Sequence, residues 1–152
     1  MSYADEARAK GVEPNPFFTE NLELRPVVIE QGSSPASARA LNWFRFPDAL
    51  DSDPYLNFGR LLPLLDTLGI TAFRRAYGHD FLQGIAPTLQ LAAHFYAAEF
   101  GDGWFLAESF GEHAAQGLIS TRARVWSSGG ALLAQSVSQM SAQAGEGAFV
   151  KS

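Results

Sequence analysis

Asp66 is the residue whose type and spacing best suit it for chemistry in this chain. It lies four positions after Leu62, within the series Phe58, Leu61, Leu62, Leu65 and Leu68, whose helical spacing makes one apolar stripe. Residues four apart stand one above the other on a helix, so the carboxylate is expected to turn toward buried surface rather than straight into water. A carboxylate held there can take a proton from water and act as a general base. The residues alone leave a second reading open, a solvated helix carboxylate or one that caps the chain at Gly69. Thr88 and Gln90, two apart at the start of a strand-like segment, are expected to share one of its faces. His94 follows on the same segment, and a lone strand histidine is first of all a hydrogen-bonding structural residue. His79-Asp80 and Glu112-His113 read as loop features. Arg74 and Arg75 can meet phosphates through charge-assisted contacts, whereas Arg122 and Arg124 alternate outward on a strand, toward solvent.

The elements that must position these side chains follow from periodicity and punctuation. A helix opens at Asp53-Pro54, with Asp as N-cap and Pro at the first helical position. Pro63 predicts a kink inside it, and Gly69 a stop. Residues 70–83 are harder to place and read as a second helical turn followed by loop. Residues 18–28 and 38–46 read as a first strand pair around the break Gln31-Gly-Ser-Ser-Pro-Ala36. Residues 88–98 and 104–110 read as two more, joined through Gly101-Asp-Gly103. In residues 118–127, Ile119, Thr121, Ala123 and Val125 alternate with Ser120, Arg122, Arg124 and Trp126, a period of two. Ser127-Ser-Gly-Gly130 then turns the chain into a strand over 131–141. The order predicts an α+β fold, a curved antiparallel sheet of about six strands wrapped around one central helix. Residues 17–143 form the single domain of this reading. Residues 1–16, ending in Gly11-Val-Glu-Pro-Asn-Pro16, are expected as an N-terminal arm and 144–152 as a flexible tail.

Composition narrows the function classes. A chain of 152 residues is the size of one compact domain. Its net charge of -5 and scattered basic residues lack the footprint of a nucleic-acid binder. With no cysteine there is no disulfide framework and no thiol chemistry. The charged start Met1-Ser-Tyr-Ala-Asp-Glu-Ala-Arg-Ala-Lys10 lacks the apolar stretch of a signal peptide, and runs such as Leu61-Leu-Pro-Leu-Leu65 are too short to span a bilayer. A cytoplasmic protein without a membrane partner is the expectation. There is no Gly-x-Ser-x-Gly elbow and no Gly-rich phosphate loop before a helix. Three histidines without cysteine make a zinc site unexpected, and neither a metal nor a cofactor is predicted.

Five motifs carry a resemblance: Asn42-Trp-Phe-Arg-Phe46, Leu61-Leu-Pro-Leu-Leu-Asp66, Pro87-Thr-Leu-Gln-Leu-Ala-Ala-His-Phe-Tyr96, Gly103-Trp-Phe-Leu106 and Gly130-Ala-Leu-Leu-Ala-Gln-Ser-Val137. In order and spacing, residues 17–140 resemble the C-terminal hot-dog half of type II acyl-CoA thioesterases. The resemblance implies a hot-dog fold and hydrolysis of acyl-CoA, or a related acyl-thioester, by an activated water. It places the catalytic Asp at Asp66 and a water-positioning Thr at Thr88. Its third position, a glutamine on the last strand, falls on Ser138, with Gln139 one residue later. Neighbours in a strand face opposite ways. Either a β-bulge brings Gln139 in, or Ser138 holds water less well, or activity is lost. Gln139 thus joins Asp66 and Thr88 as a catalytic candidate, with Gln90, His94, Arg74 and Arg75 as substrate-binding candidates. Members commonly fuse two hot-dogs, so one hot-dog with an open sheet edge implies a homodimer with the site at the subunit interface. Two other functions suit the same fold. One is a non-catalytic hot-dog that binds acyl-thioesters or serves as a dimerisation half. The other is an enoyl-CoA hydratase, which would need a histidine that does not follow Asp53-Pro54.

Overall fold

A computed structural model describes residues 8–9, 20–27, 38–77, 86–96 and 100–142. Most of the arm 1–16, the break at 31–36, His79-Asp80 and the tail 144–152 lie outside the described residues. Among them the order is β1 (Glu23–Pro26), β2 (Arg39–Arg45), α1 (Pro54–Asp66), α2 (Leu68–Tyr77), β3 (Thr88–Phe95), β4 (Trp104–Ala115), β5 (Leu118–Ser127) and β6 (Leu132–Ser141).

The strands form one six-stranded sheet in the order β1-β2-β4-β5-β6-β3, and every neighbouring pair is antiparallel. The sheet's inner face carries the helices, which is the expected hot-dog arrangement. The β1–β2 pair and the β5–β6 hairpin stand where periodicity put them. The pairing of β3 with β4 does not. β3 crosses to the far edge and bonds to β6 instead, where Ala93 packs on the core and Phe95 on the ring of Phe58. Alternation says which face of a strand is buried, but not which strand lies beside it. β4 is longer than expected, running on to Ala115. Its register steps between Gly111 and His113, so Glu112 is a bulge residue and Glu112-His113 belongs to a strand rather than a loop. Gln116 and Gly117, at φ 52° and 79°, then make the two-residue turn into β5.

The helix start is as expected: Asp53 Oδ1 accepts from Tyr55 N at 2.8 Å, and Pro54 occupies the first turn. Its end is not. α1 finishes at Asp66, Thr67 keeps a right-handed conformation, and helix resumes as α2. Thr67 donates to Pro63 O through both its N, at 3.1 Å, and its Oγ1, at 2.6 Å. Gly69 therefore ends nothing. It lies inside α2 because a methyl there would stand 2.5 Å from Thr121 Cγ2 on β5. The α1 segment lies over β5, β6 and β3, and α2 over β4 and β2.

The buried stripe also differs by a small rotation. Leu61, Leu64, Leu65 and Leu68 enter the core with Phe44, Phe105, Val125 and Leu133. Each such side chain contributes about 1.5–3 kcal/mol by leaving water. Leu62 stays 39% exposed, so it and Asp66 occupy the flank of α1 rather than its buried centre. Among the described residues no helix is long and apolar enough to cross a membrane.

Candidate active site

That flank faces the edge strand. Thr88, the first residue of β3, donates its hydroxyl to Asp66 Oδ1 at 2.7 Å. Both residues are half-buried. The carboxylate is delivered by the helix junction, the hydroxyl by the sheet edge. A threonine has one proton to give and lone pairs to receive another. Thr88 spends its proton on Oδ1, which leaves Oδ2 of Asp66 and the second side of its own oxygen for a water molecule. The pair can thus hold and deprotonate water.

The other expected residues are distributed by register. Thr88 lies opposite Met140, but Gln90 lies opposite Gln139, so Leu89 is an extra residue in β3. This bulge overturns the expected shared face of Thr88 and Gln90. Thr88 turns toward the helix, while Gln90 and His94 point to the outer face of the sheet, opposite Gln139 and Gln135. On β6, Ser136, Ser138 and Met140 are buried against the helices, and Val137 between them is exposed. Gln139 has the parity of Val137. The bulge sits on β3, and it leaves Gln139 facing away from Asp66. Arg75 Nη2 reaches Asn42 Oδ1 on β2 at 3.4 Å. β2 and β3 are separated by β4, β5 and β6, roughly 19 Å along the sheet at ~4.8 Å per strand. Arg75 is thus drawn toward β2 rather than beside Asp66.

Three hydrogen bonds of the site cannot be read from the sequence. Ser138 shares a buried hydrogen bond with Thr121, 2.6 Å between oxygens. Ser136 Oγ donates to Leu65 O at 2.9 Å, and Ser109 Oγ donates to Leu68 O at 2.8 Å. The available signal was hydroxyl residues at inner-face positions where alternation calls for apolar ones. Glu23 is held below the usual carboxylate range by its hydrogen bond to Arg25, aided by Arg45, and Asp102 by the Ser128 hydroxyl and the Trp104 N–H. Among the described residues no group of three His, Asp or Glu side chains is arranged to hold a metal ion.

Comparison with known proteins adds the lineage. No curated protein matches the chain. Its fold resembles acyl-CoA thioesterase II TesB2 from Mycobacterium marinum, with a TM-score of 0.70 and 23% identity over 91% of this chain and 55% of that one. It also resembles smu.793 from Streptococcus mutans, solved bound to acetyl CoA, with a TM-score of 0.57 and 13% identity over 80% of this chain and 89% of that one. A hot-dog protein from Alicyclobacillus acidocaldarius gives a TM-score of 0.56 and 18% identity, over 88% of this chain and 50% of its own. The chain thus spans about half the length of the Mycobacterium and Alicyclobacillus proteins. The family described as the acyl-CoA thioesterase C-terminal domain matches residues 2–141. With its ordered motifs, its six-stranded antiparallel sheet and its helices laid across the inner face, this chain belongs to that family.

Proposed function

We propose that this chain hydrolyses acyl-CoA or a related acyl-thioester, with Asp66 as the base. The observation that carries this reading is the 2.7 Å hydrogen bond that joins Thr88 to Asp66 across the seam between helix and edge strand. In the reaction, water held by Oδ2 of Asp66 and Oγ1 of Thr88 attacks the thioester carbonyl carbon. Its proton passes to Asp66, the C–S electron pair leaves with sulfur, and the thiolate takes the proton back. No covalent intermediate is needed, because a thiolate leaves readily. Ser138 is the third-position residue that faces this water, and Gln139 lies on the other side of the sheet. Arg74 and Arg75 are the proposed partners of the CoA phosphates. They follow Asp66 by about 12 Å of helix, a distance that an extended pantetheine arm spans. A cytoplasmic setting belongs to the same reading.

A second copy of the chain would complete the site. β3 is an edge strand, and Leu89 beside Thr88 is 59% exposed, with Phe95 and Tyr96 exposed toward its other end and Leu62 on the flank of α1. An open edge flanked by apolar side chains is a surface for pairing. We expect a dimer by light scattering, and Leu89→Lys, which puts a charge into that row, to shift the mass to that of a monomer. A monomeric wild-type protein would count against the interface site.

The second reading is a hot-dog that binds acyl-thioesters without turning them over. The Ser138–Thr121 hydrogen bond favours it, since that hydroxyl is already engaged. Thiol release from short, medium, long and aromatic acyl-CoAs separates the two. Turnover of any of them supports hydrolysis. Calorimetric binding without thiol release selects the binding module.

A further inference from the structure

The helix junction that carries Asp66 is held from below by three adjacent strands. Ser136 on β6 and Ser109 on β4 are almost wholly enclosed, at 2% and 0% exposure. Their hydroxyls donate to Leu65 O and Leu68 O, the carbonyls on either side of Asp66 and Thr67. Between them β5 supplies Thr121, against which Gly69 seats with no room for a methyl. A carbonyl in the last turn of a helix has no donor within that helix. Ser136 satisfies Leu65 O and ties it to β6, the strand that bonds to β3 and so to Thr88. The connection closes on itself: Asp66, Leu65, Ser136, along β6 to Met140, across to Thr88, and back to Asp66.

We propose that Ser136 and Ser109 are positioning residues for Asp66. Neither touches the reacting atoms. Each fixes one side of the junction, so that the carboxylate stays within reach of Thr88 when water and thioester enter. This proposal rests on the thioesterase reading of Asp66, and it assigns a role to two hydroxyls that would otherwise only satisfy helix carbonyls.

Kinetics of Ser136→Ala and Ser109→Ala test it, with Ser127→Ala as control. The buried Ser127 hydroxyl accepts from Ala131 N at 3.1 Å in the β5–β6 turn, away from Asp66. We expect Ser136→Ala to lower kcat about tenfold or more, as ångström-scale misplacement does, with KM held within about twofold. Ser109→Ala should act in the same direction, Ser127→Ala should leave kcat unchanged, and Ser136→Thr, which keeps the hydroxyl, should recover part of the loss. Combined with Thr88→Val, Ser136→Ala should cost little more than the worse single change, because both loosen one link. An unchanged kcat, a fall matched by Ser127→Ala, or full additivity with Thr88→Val would overturn the proposal. If the wild type releases no thiol, the hydrolase reading fails and crystal structures decide the positioning role. A Thr88–Asp66 hydrogen bond kept at 2.7 Å in Ser136→Ala sinks it, and a broken one sustains it.

Discussion

Asp66→Asn should lower kcat for thioester hydrolysis by about a thousandfold, within the 10²–10⁴ span that general-base catalysis supplies. The substitution is nearly isosteric. An asparagine oxygen can still accept the Thr88 hydroxyl that Oδ1 accepts now at 2.7 Å, so the helix junction and the sheet edge keep their link. What the amide cannot do is take a proton from water. The loss should therefore fall on kcat, with KM and melting temperature close to wild type. Steady-state thiol release and a thermal melt on the same preparation check both halves. Turnover within a few-fold of wild type would remove Asp66 as the base. A collapse in melting temperature would mean that its role is structural.

Gly69→Ala should be the costliest single-methyl addition among the glycines of the two helices. The new carbon would stand 2.5 Å from Thr121 Cγ2 and 2.7 Å from Thr121 Cβ, so rotating the threonine does not relieve it. Either α2 lifts from β5 or the strand bends. Overpacking of this kind costs about 3 kcal/mol, which at this chain length lowers the melting temperature by roughly 6–12 °C. Lifting α2 also moves the junction beside it, so kcat should fall with stability. Gly59→Ala is the contrast. It sits on α1 with nothing within 4 Å of the added carbon. There alanine should stabilise by about 0.5–1 kcal/mol, through helix propensity alone. Equal melting temperatures for the two variants would mean that the close approach of α2 to β5 yields at little cost.

Much of the scaffold was legible because it is local. The N-cap at Asp53, the glycines that turn β5 into β6, and the alternation of Ile119, Thr121, Ala123 and Val125 each depend on residues a few positions apart. The helix end was misread for a reason of the same kind. Glycine is the usual mark of a stop, but Gly69 is required by a neighbour on another strand, and only the packed structure brings Thr121 there.

The sequence by itself determined where the six strands and the start of the central helix lie, which face most of the strands bury, and that a carboxylate stands in that helix beside its leucine stripe. The tertiary structure alone decided that β3 lies beside β6, and that Leu89 is the extra residue that turns Thr88 inward and Gln90 outward. It also decided that Ser136 and Ser109 grip the junction carrying Asp66. The physical reason is register. Which residue of one strand opposes which residue of another is set jointly by every side chain packed between them, so one bulge with no glycine to announce it changes the face of each residue beyond it.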